Sequence, residues 1–169
     1  MIDLPVITKV SDPEDIEAVA ALAHEIWNQH FVPIAGQKQV DYMLEKLQSA
    51  PAIAKQISSG YQYYTIAVDN EMVGYFAIAS VPDECIEAQL SKIYVRKDHQ
   101  GQGLGKDMLD FAEELCAAMG IRKLWLTVYR HNVETIAFYE HMGFTMEGKL
   151  VQDIGDGFVM DDYRMEKIL

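Results

Sequence analysis

Glycines at 101, 103 and 105 interrupt the chain directly after an apolar, β-branched stretch, and an amphipathic helical pattern follows them. Glycine takes left-handed backbone angles and lets a ligand approach the main chain, while the first amides of a helix lack partners within it and sit at its positive end. Such a turn suits a phosphate group, and Arg96, Lys97 and Lys106 add positive charge around it. Upstream, Glu87 places a carboxylate that can accept a proton directly or through a water. Its neighbours Glu84 and Gln89 remain alternatives, because alternation alone does not say which side chain faces a cleft.

Two familiar phosphate motifs fail here. A P-loop needs a glycine at 100 and a Ser or Thr at 107, where the chain has Gln100 and Asp107. A dinucleotide fingerprint counted from Gly101 needs a third glycine at Lys106, and it belongs in a first βαβ unit rather than midway along the chain. What remains is Gln100-Gly101-Gln102-Gly103-Leu104-Gly105, a Q-x-x-G-x-G turn.

The elements around this turn can be read from periodicity. Val6 to Val10 is β-prone, and Ser11-Asp12-Pro13-Glu14 combines capping residues with a first-turn proline. Helical spacing then runs from Ile16 to Phe31-Val32-Pro33, where the proline is expected to break it. Val40, Met43, Leu44 and Leu47 mark a second helix, and Ala52 to Ile57 a short third. Tyr61 to Val68 and Met72 to Ser80 form a hairpin across Asp69-Asn70-Glu71.

The next strand, Glu84 to Val95, carries apolar residues at even positions up to Leu90 and at odd positions from Ile93. A parity slip near Ser91-Lys92 is the mark of a β-bulge or of a strand break. Leu104 to Met119 is a helix closed by Gly120, Lys123 to Tyr129 a strand, and Val133 to Met142 a helix that Asn132 can cap. Phe144 onward is extended. With glycines at 148, 155 and 157 and aspartates at 153, 156, 161 and 162, the last stretch reads as a loop-rich hairpin with a strand at Phe158 to Met160.

No repeat or linker divides the chain, so residues 1–169 are expected to form one domain. The 14 Lys and Arg against 26 Asp and Glu give a formal charge of −12, which argues against a general nucleic-acid binder; the charge either keeps the surface soluble or attracts a cationic substrate, and on charge alone the first reading comes first. Cys85 and Cys116 form neither a zinc framework nor a disulfide scaffold, and the histidines at 24, 30, 99, 131 and 141 lack metal spacing, so no metal is expected. No basic and apolar leader and no membrane-length apolar run is present, so a cytoplasmic protein without membrane association is expected. Trp27, His30, Phe31 and Tyr42 are read as core or surface residues before walls of a site.

The Q-x-x-G-x-G turn, followed by helix, strand and a helix with Asn132 near its start and Tyr139 further on, resembles the acyl-CoA pyrophosphate site of the GNAT superfamily of N-acetyltransferases. The likeness is strongest over residues 85–151. Ile26-Trp27-Asn28-Gln29-His30-Phe31 and Gly155 to Tyr163 further resemble the bacterial spermidine/spermine acetyltransferase branch.

The resemblance implies an α/β (α+β) fold with a mixed, largely antiparallel twisted sheet, a bulged central strand and helices on both faces. It implies acetyl-CoA as co-substrate, held by the backbone of Gln100, Gly101, Gln102, Gly103, Leu104, Gly105 and Lys106. The main-chain groups of Ile93, Tyr94 and Val95 would align the thioester, and Tyr139 would be the general acid toward the departing thiolate. Asn132 would cap its helix first and contact the cofactor arm second. The acceptor is expected to be a small, cationic primary amine such as a polyamine. A protein or peptide amine, an antibiotic, or acyl-CoA sensing without turnover stand as alternatives, and a homodimer is left open.

Overall fold

The computed structural model describes residues 4–80 and 86–169. Strand β1 (Val6–Lys9) is followed by helices α1 (Pro13–Ala35), α2 (Gln37–Leu47) and α3 (Ala50–Ser58), then by strands β2 (Gln62–Val68), β3 (Glu71–Ser80) and β4 (Glu87–Val95). A 3₁₀ turn at Lys97–His99 leads to α4 (Leu104–Ala118), β5 (Lys123–Tyr129), α5 (Val133–His141), β6 (Thr145–Gly155) and β7 (Phe158–Ile168). The expected beginning of the fourth strand at Glu84, and Cys85, lie outside the described residues.

The strands form one seven-stranded sheet in the order β1-β2-β3-β4-β5-β7-β6. Every neighbouring pair is antiparallel except β4 with β5. Asp69 and Asn70 both take positive φ, which matches the twist of the β2–β3 hairpin. Helices α1, α2 and α3 bury Val19, Ile26, Val40 and Ile53 on one face of the sheet. Helices α4 and α5 bury Met108, Leu109, Ala112 and Tyr139 on the other. The mixed, mostly antiparallel sheet with helices on both faces is the architecture expected.

The parity slip is a bulge. Ala77 pairs with Lys92 and Ile78 with Leu90, so Ser91 is the extra residue. Ala88 and Leu90 before it and Ile93 and Val95 after it all face the α4–α5 core, whereas Tyr94 packs into the α1–α3 core. Just before the bulge β4 also leaves β5: their pairing covers only Glu87↔Lys123, Ala88↔Leu124 and Gln89↔Trp125. Strand β5 meanwhile stays paired with β7 as far as Tyr129↔Asp162. The sheet therefore opens like a V between residues 90–95 and 126–129.

Two expectations are corrected. Pro33 does not end α1, which runs to Ala35 before Gly36 donates its N–H to the Val32 carbonyl. A proline this close to the C-terminus removes one hydrogen bond of a helix that packing already holds. The last stretch is a regular pair of 11-residue strands rather than a loop-rich hairpin. Its glycines and aspartates are accommodated by register shifts at Met146/Gly148 and Asp153/Gly155 and by a tight turn in which Asp156 and Gly157 take positive φ.

Candidate active site

Where the strands part, a cavity of about 450 Å³ opens, a size ordinary for small-molecule sites. The separated strands supply Ser91, Lys92, Ile93, Tyr94 and Val95 on one side and Thr127, Val128 and Tyr129 on the other. Helix α1 closes it with Trp27, His30 and Phe31, α5 with Thr135 and Tyr139, and the β6–β7 pair with Gln152, Met160 and Asp162.

The glycine turn sits at the cavity's edge through Gln100. Gly101 and Gly103 take φ of +80°, and a Cβ built on either would meet nothing within 4 Å, so the main chain faces open space. Gly103 caps α4 without a side-chain hydrogen bond. The first-turn amides of α4 are thus free to receive an anion, which is the fit an acyl-CoA pyrophosphate requires. Gln100 donates from Nε2 to the Val95 carbonyl (3.2 Å), tying the turn to the end of β4.

The charges around the turn are less available than the sequence suggests. Arg96 is held by Asp98 and Glu71 (2.9 and 2.8 Å), and Lys106 by Asp110 (2.9 Å). Gln102 and Leu104 contribute differently: Gln102 is exposed, whereas Leu104 is buried in the α4–α5 core and anchors the helix start.

Tyr139 lines the cavity while its ring packs edge-on against Phe144 and beside Phe138. Burial pushes its phenol pKa up, which keeps the proton on oxygen at neutral pH. Tyr94 is also pushed up, by burial first and then by the nearby Tyr139 and Asp162.

Asn132 corrects the expectation of a cap. It occupies the N-cap position of α5, but its side chain makes no capping bond; Nδ2 instead reaches His30 Nε2 across the cleft (3.0 Å). His30 therefore belongs to the site, and burial lowers its pKa, favouring the neutral ring. Trp27 is both core and wall, and Phe31 lines the cavity. Tyr42 stands elsewhere: its hydroxyl donates to the Ile154 carbonyl (2.7 Å) and its ring rests on Phe158, tying α2 to the β6–β7 turn.

Glu87 is the second correction. It lies at the start of β4, outside the cavity lining, with its carboxylate 3.4 Å from Lys123 Nζ and 3.9 Å from Arg164. Gln89, on the same face one step further, does line the cavity.

Two residues were missed by sequence reasoning. Lys92 is buried beside the bulge, with Nζ donating to Ser91 Oγ (2.7 Å) and lying 5.4 and 5.9 Å from the ring centres of Tyr61 and Tyr63. Burial lowers its pKa to about 8. Asp162 is 2% exposed and its carboxyl is raised to about 6, first by burial, then by Asp161, against a hydrogen bond from Thr127. The signal for Asp162 was there: in a strand, alternation turns one member of an Asp-Asp pair inward.

The acetyltransferase (GNAT) family model matches residues 20–144. An N-acetyltransferase encoded in the pepI 3′ region of Lactobacillus delbrueckii subsp. lactis is 28% identical over 169 residues, covering 96% of each chain. The spermidine N(1)-acetyltransferase of Thermoplasma acidophilum is 22% identical, covering 88% of this chain and 91% of its own. Among solved structures, the PaiA N-acetyltransferase from Thermoplasma acidophilum in complex with coenzyme A superposes with a TM-score of 0.83 at 23% identity, over 99% of this chain and all of that one.

Proposed function

The chain belongs to the acetyltransferase (GNAT) family and uses acetyl-CoA as its co-substrate, and from that premise we propose that it acetylates the primary amine of a small cationic acceptor, such as a polyamine, in a ternary complex. The observation that carries this reading is the parting of β4 from β5 beyond Gln89 and Trp125, over a cavity that holds Tyr139 and borders the glycine turn. Acetyl-CoA supplies an activated acyl group as a thioester. The amides of Gly101 to Lys106 hold its pyrophosphate. Backbone groups of Ile93 to Val95, which a continuous sheet would consume, align the thioester carbonyl and stabilise negative charge on its oxygen. Tyr139 gives its phenolic proton to the leaving thiolate.

Support for a polyamine comes from two directions. A spermidine acetyltransferase and a probable spermine N(1)-acetyltransferase of Bacillus subtilis subsp. natto, 27% identical over 92 residues, are among the relatives. The charge of −12 attracts cations. Lys92 makes one end of the cavity unfavourable for a second ammonium, so the chain of such an acceptor would leave away from the bulge.

A thiol-release assay with acetyl-CoA against spermidine, spermine, an amino acid, a short peptide and an aminoglycoside tests this reading. CoA release with the polyamines is the expected outcome. Release with the peptide or aminoglycoside alone would replace the acceptor class. Binding of acetyl-CoA without release for any amine would make the protein a sensor.

A further inference from the structure

We propose that Asp162 is the catalytic base, taking the proton from the acceptor's ammonium group before acetyl transfer. The proposal rests on the acetyl-transfer reading above. An amine is protonated in water at neutral pH and has no lone pair to attack with, so the site must hold a proton acceptor. Among the described residues lining the cavity, Asp162 is the one carboxylate.

Its setting is that of a base rather than of a structural ion. No Lys or Arg lies within ion-pair distance of it among the described residues, whereas its neighbour Asp161 is turned away to Arg130 (3.0 Å). Strand pairing places Asp162 opposite Tyr129 on β5 and Leu150 on β6, at the end of β5 where β4 has already left. The Thr127 hydroxyl favours the carboxylate form, and both Asp162 and Tyr139 act electrostatically on Tyr94.

Of the groups facing Asp162, the two phenols stay protonated at neutral pH, and Lys92, at about 8, titrates above the range in which the carboxylate forms. Tyr94 from β4 and Tyr139 from α5 hold their protons more firmly than a free phenol. His30 from α1 is engaged: the Asn132 amide nitrogen can only donate, so the Nε2 lone pair of His30 is occupied. Lys92 is a cation or a neutral amine at the bulge. A carboxyl near 6 is largely ionised at pH 7 to 8, yet basic enough to compete for a proton in a site with little water.

The step balances as follows. The ammonium proton passes to an Asp162 oxygen, and the freed lone pair forms the C–N bond to the thioester carbonyl carbon, whose π electrons move to oxygen. When the carbonyl re-forms, the C–S bond breaks and its electron pair stays on sulfur. Tyr139 protonates that thiolate and recovers a proton from the acetylated nitrogen, while Asp162 gives its own to solvent. Net, ammonium and acetyl-CoA yield amide, CoA thiol and one proton.

The test compares pH–rate profiles of the wild type, Asp162→Asn and Thr127→Val with whichever amine of the panel is turned over fastest, alongside calorimetric acetyl-CoA binding. The wild type is expected to lose kcat/KM on an acid limb near pH 6. Asp162→Asn should lose roughly 10²–10³-fold at pH 7.5 and bind acetyl-CoA normally. Its defect should shrink about tenfold per pH unit as the acceptor begins to lose its own proton. Thr127→Val removes the bond that favours the carboxylate, so its acid limb should move upward, and this keeps the proposal falsifiable if Asp162→Asn does not fold. An Asp162→Asn profile matching the wild type, or a limb unmoved in Thr127→Val, overturns the proposal alone. No CoA release by the wild type with any amine overturns the acetyl-transfer reading, and this proposal with it.

Discussion

Desolvation sets the protonation of the polar groups around the cavity, and it acts oppositely on acids and bases. It raises Asp162, Tyr94 and Tyr139 and lowers Lys92 and His30. For Asp162 this has a stability consequence with a definite sign. Its folded pKa, about 6, lies above the 3.8 of an ordinary aspartate, so the folded state binds the proton more tightly. Folding is therefore penalised fully above pH 6 and not at all below 3.8, by on the order of 3 kcal/mol. Asp162→Asn should raise the melting temperature at pH 8, with the gain fading toward pH 4; a variant less stable than wild type at pH 8 would contradict this account. Tyr139→Phe should leave the fold and acetyl-CoA affinity intact while lowering kcat by roughly 10²–10⁴-fold, and a normal turnover number would remove Tyr139 from the chemistry. At this scale residue type and local spacing were enough to bring Tyr139 into the cavity and the glycine turn to its edge. They were misleading at Glu87 and Asn132, whose partners Lys123, Arg164 and His30 come from distant parts of the chain.

The elements explain why some side chains reach the cavity and others do not. The β4 bulge was legible because an extra residue swaps the buried parity, and Ser91 does so. The regularity of β6 and β7 was not, because β6 is an edge strand whose side chains are mostly exposed, so no apolar alternation marks it. Asp162, on the neighbouring β7, was hidden among aspartates that looked like a surface cluster. Helices α1 to α3 were placed by periodicity, yet what aligns them against the sheet is a polar chain that periodicity does not reveal. Trp27 Nε1 donates to the Tyr75 hydroxyl (3.0 Å), which donates to Gln48 Oε1 (2.6 Å), while Gln48 Nε2 donates to the Tyr63 hydroxyl (3.1 Å), itself bonded to Gln56. Gln48→Leu would leave the Tyr75 hydroxyl proton without its acceptor and take one of two bonds from the Tyr63 hydroxyl, and should cost about 1–3 kcal/mol in denaturant unfolding; a change within error would mean that water replaces the glutamine. Gly74 tests the site from behind, since a Cβ there would stand 2.7 Å from the Tyr94 carbonyl and 3.0 Å from Ile66. Gly74→Ala should destabilise by about 1–3 kcal/mol and, by displacing β4 at the thioester position, raise KM for acetyl-CoA. If stability falls but KM stays fixed, the position of Tyr94's backbone does not matter to binding.

Over the whole molecule, electrostatics should act with opposite sign on the two substrates. The net charge of −12 draws a cationic acceptor in and repels an anionic nucleotide. Of the cations around the turn, Arg96 and Lys106 are already paired with Asp98, Glu71 and Asp110, which blunts what they offset. In the reading proposed above, acetyl-CoA is held by the amides of the glycine turn, which act at hydrogen-bond range and are little affected by screening. An acceptor arriving through solvent is guided by the long-range field instead, and that field shrinks as the Debye length falls from about 30 Å at 0.01 M salt to about 10 Å at 0.1 M. Across that range kcat/KM for a di- or tricationic amine should fall several-fold, more steeply than for a monoamine, whereas KM for acetyl-CoA should stay level or improve. The comparison needs only steady-state rates at two salt concentrations with each substrate saturating in turn. Equal salt dependence for polyamine and monoamine would mean that the acidic surface serves solubility and that the acceptor is chosen inside the cavity, by Asp162 and Lys92, rather than on the way to it.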